Sequence, residues 1–266
     1  MDRINIKDTD LKLSRLGLGC VKAGVKWDGQ EAFDLFDAFL DMGGNVYDTA
    51  RVYSDWIPSE KGRSERVLGQ WLAHSGKRHD VILVSKGGHP DMTGPNPDMH
   101  KSRVSESCLK YDLEESLRVL GTDYIDIYFN HRDNEDVPVS ELIDIMEDFR
   151  KQGKIRYYAC SNWTTARMEE ADAYAAACNG FFHKLLAAGR EAVVNSEYYG
   201  DGNLNNMRII SKLMEKYGMS VTQAVLGYLT CQNFQCLPLY GPRNTEDLKD
   251  AMGTFEIPFR AEDYRE

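Results

Sequence analysis

No stretch of the 266 residues is apolar for long enough to span a membrane, which takes a run of roughly 18 residues. The opening MDRINIKDTD alternates charge with apolarity and lacks the apolar core of a secretory leader, so a cytoplasmic protein is expected. Positive charge is also scarce. Lys and Arg number 32 against 42 Asp and Glu, the net charge is -10, and the one basic cluster, Gly76-Lys77-Arg78-His79, is short. Such a surface repels a phosphate backbone, which excludes nucleic acid as a partner. The six cysteines (20, 108, 160, 178, 231 and 236) form no C-x-x-C or zinc-finger spacing, which points to buried free thiols in a reducing compartment. No metal is expected: only six histidines occur, and His131, Asp133 and Glu135 have no second histidine beside them. A kinase catalytic loop at His131-Arg132-Asp133 is excluded too, because Pro138 stands where asparagine would be required.

What is present is an alternation of short apolar strands and longer amphipathic helices. Ile4–Leu13 has the pattern of a hairpin, and strands are predicted at 16–20, 45–48, 81–85, 124–129, 155–160 and 235–239. Helices are predicted at 30–42, 64–72, 102–120, 140–151, 165–177 (capped by Thr164), 206–217, 220–230 and 245–252. Strands apolar throughout, alternating with helices, indicate a buried parallel sheet. No G-x-G-x-x-G follows the first strand, which argues against a doubly wound dinucleotide fold. Instead Asp48, Lys86, His131 and Ser161-Asn162 crowd the C-terminal ends of successive strands, where a (β/α) barrel carries its chemistry.

Asp48, Tyr53, Lys86 and His131 have the chemistry of a proton-transfer set. A tyrosine hydroxyl donates a proton to a developing alkoxide, and an ammonium beside it is expected to lower its pKa. Asp48 would hold Lys86 charged and aimed, and His131 would orient a carbonyl oxygen. Each residue also has a bland reading: Asp48 as an acceptor of backbone N–H bonds, Lys86 as a surface charge, Tyr53 as loop packing, His131 as a core histidine. Gly241-Pro242-Arg243-Asn244, a guanidinium at a helix start, suits a phosphate or a simple capped turn. Asn162 suits a flat polar group such as a carboxamide. Trp27 and Trp56 either wall an apolar pocket or pack.

At Asp48-Thr-Ala-x-x-Tyr53, Val84-Ser-Lys86, Tyr128-Phe-Asn-His131-Arg132, Gly153-Lys154-Ile155-Arg156 and Ser161-Asn162, the chain resembles the aldo-keto reductase family. The resemblance implies an α/β fold, the (β/α)8 TIM barrel with an N-terminal β-hairpin, as a single domain over 1–266. It implies NADPH-dependent reduction of an aldehyde or ketone (NADH being possible), by a monomer or weak homo-oligomer that needs neither membrane nor nucleic acid. Tyr53 would be the proton donor, Lys86 and Asp48 its tuning pair, and His131 the residue that orients the carbonyl. Ser161 and Asn162 would hold the nicotinamide carboxamide, while Gly241, Arg243 and Asp247 fall at the adenosine end, with Arg243 gripping the 2′-phosphate. The alternatives are a non-catalytic nucleotide-binding relative acting as a sensor or regulatory subunit, and a barrel hydrolase using His131 and Asp48.

Three departures from the family pattern stand out. Asp247 replaces a glutamine or similar residue and Ala251 an asparagine, and an acid at 247 would oppose a 2′-phosphate. Near Cys178–Gly180 the sixth strand, the sixth helix and the seventh strand are missing, roughly 45–50 residues of a barrel that typically needs about 250. Such a cut would expose unpaired strand edges, so a chain gap or deletion is expected around 178–181. Finally, little sequence follows residue 252 to shape a substrate pocket.

Overall fold

A computed structural model describes residues 3–6, 9–164, 201–231, 236–258 and 260–264. The chain divides into two units, residues 17–172 and residues 1–16 with 173–266.

The larger unit lays its strands down in chain order. β3 (Gly17–Gly19), β4 (Val46–Asp48), β5 (Ile82–Gly87), β6 (Ile125–Asn130) and β7 (Ile155–Cys160) pair in parallel, each with the next. A helix returns the chain after each of the first four: α1 (Gly29–Asp41), α2 (Arg63–Ser75), α3 (Glu106–Leu120) and α4 (Val139–Lys151). The order never reverses, as it would in a doubly wound sheet; the fold is of the (β/α)8 barrel class.

The amphipathic faces explain this packing. Phe36 and Phe39 of α1 meet Tyr47 of β4 edge-on at 5.8 and 5.3 Å, and Trp71 of α2 lies 5.0 Å from the same ring. Tyr47 keeps its hydroxyl satisfied by donating to the Phe36 carbonyl at 2.8 Å. Trp27 joins this core, edge-on to Phe36 at 5.6 Å, whereas Trp56 is exposed; packing is thus the outcome for the first. α3 starts at Glu106, later than the predicted Ser102, because Ser105 takes the N-cap and accepts from the Cys108 amide. Below the sheet, buried Asp126 accepts from the Leu83 amide and pairs with Arg78 and Arg156, tying β5, β6 and β7 together.

In the other unit, β1 (Arg3–Asn5) and β2 (Lys12–Ser14) form the expected antiparallel hairpin. α5 (Asp201–Tyr217), α6 (Val221–Thr230) and α7 (Thr245–Gly253) follow, with Met207, Ile210, Leu213, Val221 and Ala224 in their core. Ser220 caps α6 in a reciprocal box with Gln223 and also donates to Asp250 at 2.7 Å. The strand expected at 235–239 is β8, Leu239–Tyr240, two residues long. The predicted helix at 165–177 and the junction at 178–181 lie outside the described residues. None of the described helices is long and apolar enough to cross a membrane.

Candidate active site

Asp48 is the last residue of β4, Lys86 lies one short of the end of β5, and His131 follows β6 directly. Parallel register brings these strand ends level, with Lys86 opposite Phe129 and Gly87 opposite Asn130. The His131 amide donates to the Gly87 carbonyl at 2.8 Å, which seats the histidine over the neighbouring strand. Tyr53 arrives on the loop after β4. That loop is pinned by the Arg51 amide on the Lys86 carbonyl (3.1 Å), by Ser54 Oγ on the Val21 carbonyl (2.8 Å) and by the Gly62 amide on Asp55 Oδ1 (2.6 Å).

The four residues converge. Lys86 is buried, and its ammonium donates to Asp48 Oδ1 at 2.5 Å, to the Thr49 carbonyl at 2.8 Å and to Tyr53 Oη at 3.1 Å. All three of its protons are therefore used. The Tyr53 ring stands edge-on to the His131 imidazole at 5.6 Å. Burial of the lysine rules out the bland reading of a surface charge.

The electrostatics correct one expectation. Lys86 was expected to lower the pKa of Tyr53, but it is raised well above 10, by burial first and then by the charge of Asp48. Asp48 and Lys86 neutralise each other, so the resting phenol keeps its proton. Burial likewise raises the Asp48 carboxyl, against the pull of Lys86. His131 is driven down to about 2 by burial, and then by Lys86, His89 and Arg132, so its ring is neutral. Its Nδ1 is buried without a hydrogen-bond partner.

Ser161 and Asn162 follow β7. Asn162 takes φ = 60°, and its Nδ2 donates to the His131 carbonyl at 2.8 Å and to Ser161 Oγ at 3.0 Å. Both amide protons are thus engaged, leaving the side-chain oxygen as the group that can accept from a carboxamide. Buried Asn130 Oδ1 also has no partner. These groups fit the polar end of a nicotinamide.

Gly241, Arg243 and Asp247 belong to the other unit. Asn244 caps α7 by accepting from the Asp247 amide at 2.8 Å. Arg243 is largely exposed, and its Nε and NH2 donate to the two oxygens of Asp247 at 2.6 and 2.8 Å. The acid at 247 thus neutralises the arginine rather than standing apart from it.

Sequence reasoning passed over His89, three residues beyond Lys86 in Gly87-Gly88-His89-Pro90. Its ring is buried, 4.7 Å from that of His131. A histidine just past a strand-end lysine was the available signal.

The model of the Aldo/keto reductase family matches residues 15–185. An uncharacterized oxidoreductase of Bacillus subtilis (strain 168), YrpG, is 32% identical over 168 residues, covering 63% of this chain and 51% of that protein. The aldo-keto reductase YhdN of the same organism is 32% identical over 173 residues, 64% of this chain and 49% of the relative. The chain thus spans about half the length of these relatives. The aryl-alcohol dehydrogenase GME11368 of Pestalotiopsis microspora is 22% identical over 315 positions, 99% of this chain and 80% of that protein. Since this chain has 266 residues, at least 49 of those positions (315 less 266) have no counterpart in it. With the family model matched over more than half of its residues, this chain belongs to the aldo/keto reductase family.

Proposed function

We propose that the chain reduces an aldehyde or ketone to an alcohol with NADPH, as a single barrel domain over 1–266. The observation that carries this reading is the Lys86 ammonium, bound at once to Asp48 and to the Tyr53 hydroxyl. A bound reduced nicotinamide supplies the hydride to the carbonyl carbon. The protein's own task is the proton. Neutral His131 offers one N–H to the carbonyl oxygen and orients it beside Tyr53. As negative charge grows on that oxygen, Tyr53 gives up its proton, and Lys86, 3.1 Å away, stabilises the phenolate left behind. Asp48 keeps Lys86 aimed and charged. The high resting pKa of Tyr53 ensures that the donor is loaded before reaction.

Ser161 and Asn162 hold the carboxamide in this reading, and Gly241, Arg243 and Asp247 the adenosine end. The preference for NADPH rests on Arg243, whose guanidinium exchanges Asp247 for a 2′-phosphate; without that exchange NADH is the cofactor. The free thiols of Cys20, Cys108, Cys160 and Cys236 suit a cytoplasmic location. The unmatched positions against GME11368 support an internal deletion, and an intact mass of 30.3 kDa for the purified chain is its check.

Tyr53→Phe tests the chemistry. NADPH oxidation with 4-nitrobenzaldehyde should fall by at least about 100-fold, the usual scale of a lost general acid. NADPH binding, followed by nucleotide fluorescence, should persist. Undiminished reduction by the variant would overturn the assignment of the proton donor.

A further inference from the structure

Beside His131 lies a cation, Arg132, that has no carboxylate partner among the described residues. Arg132 NH2 donates to His89 Nε2 at 3.1 Å, while His89 Nδ1 lies 2.9 Å from the Pro90 carbonyl. A carbonyl only accepts and a guanidinium only donates, so His89 carries its proton on Nδ1 and accepts at Nε2. His89 is therefore neutral, in keeping with a pKa lowered by burial and by Arg132. It aims the guanidinium without cancelling its charge.

No ion pair forms on Arg132 among the described residues. Other arginines of the same unit do have carboxylates: Arg51 faces Asp55, Arg103 faces Asp112, and Arg156 faces Asp126. Asp112, the acid whose charge reaches His89, is already occupied by Arg103 and the Gly88 amide. Arg132 Nε is buried without a partner, and the single bond to His89 leaves most of the five guanidinium donors free among the described residues. A half-buried guanidinium with no carboxylate among the described residues is costly unless something negative completes it. His89 packs on His131, and His131 packs on Tyr53, so two imidazoles link the charge to the proton donor.

We infer that Arg132, positioned by His89, anchors an anionic group on the substrate, so that the carbonyl compounds this site prefers carry a carboxylate or a phosphate. The inference rests on the carbonyl-reduction reading for its substrate class. The guanidinium fork matches either anion with two parallel hydrogen bonds. His89 is a positioning residue: it touches Arg132 and not the reacting atoms.

Two matched pairs test the proposal: 4-carboxybenzaldehyde against 4-formylbenzamide, and glycolaldehyde phosphate against glycolaldehyde. The ratio of kcat/KM, charged over neutral, should exceed one in the wild type. It should fall by about 10- to 100-fold in Arg132→Gln, the range for a lost charge-assisted contact. A fall in the first pair alone makes the anion a carboxylate, and in the second alone a phosphate. His89→Leu should lower the same ratio through KM, and His89→Gln, whose side-chain oxygen can accept from Arg132, should restore it. Ratios unchanged by Arg132→Gln in both pairs overturn the inference. Benzoate and benzamide binding with NADP+ present separates the two claims. Benzoate binding lost in Arg132→Gln, with no aldehyde reduced by the wild type, refutes carbonyl reduction and leaves the anion site standing. Neutral aldehydes reduced by a wild type that binds benzoate no better than benzamide refute the anion site alone.

Discussion

Replacing Glu65 by glutamine should change how stability depends on pH. Glu65 lies on α2 with none of its surface exposed. Its Oε1 accepts from Ser85 Oγ at 2.6 Å, and Ser116 also bears on the carboxylate. Burial raises the carboxyl from 4.5 to about 7, against the lowering effects of Ser85, Ser116 and Arg51. In the unfolded chain the same group titrates near its ordinary value of about 4.3. Between those values the folded state holds a proton that the unfolded state has lost, so stability falls as pH rises, by up to about 1.4 kcal/mol per pH unit. The contribution is complete below the unfolded pKa and lost once pH passes the folded one. Integrated over the window, it amounts to about 3 kcal/mol between pH 4 and pH 8. Glutamine has no proton to lose. Urea unfolding of both proteins at pH 5, 6, 7 and 8 should therefore show the variant gaining on the wild type as pH rises. Parallel stability curves would refute the argument, whatever their separation.

Gly69→Ala should loosen the seat of α2 on α3, since a Cβ there would lie 2.6 Å from the Val119 carbonyl oxygen and 2.8 Å from Leu120 Cα. Both are backbone atoms, so the helices must part; a loss of about 1–3 kcal/mol is expected as a lower urea midpoint at unchanged slope, and an unmoved midpoint would refute the close approach. His131, held down to about 2, should show imidazole resonances that do not move between pH 5 and 8. The unfolded chain protonates this ring below about pH 6.5, so its burial costs stability increasingly as pH falls. A titration of His131 near 6.5 in the folded protein would contradict the burial argument.

Much of the architecture was legible because parallel strands buried on both faces must be apolar throughout. Val84, Ile125 and Ile155 announce such strands, and one polar residue at each C-terminal end announces the site. Helix starts were less legible. Nothing local distinguishes Ser102 from Ser105 as the cap of α3 until the Cys108 amide turns to one of them. β8 shrank to Leu239–Tyr240, since apolar character at 235–239 does not reveal where pairing begins. Trp27 went to the core beside Phe36 while Trp56 stayed exposed, a distinction that side-chain chemistry alone does not make.

By itself the sequence determined which groups stand at or just beyond the strand ends and in what order: Asp48 with Tyr53 on the loop after it, Lys86, His131 and then Ser161-Asn162. Chain order and strand period suffice for that, because each strand in a parallel sheet delivers its last residue to the same edge. Only the tertiary structure decided their electrostatic state. Burial and Asp48 hold the Tyr53 proton on, where the ammonium alone would have loosened it, and burial discharges His131. It also decided how these arginines are paired among the described residues. Arg243 is spent on Asp247, four residues along one helix turn, while Arg132 is left facing a neutral His89 that lies 43 residues away in the chain. Pairings of that kind depend on distances in space, and desolvation depends on everything packed around a group.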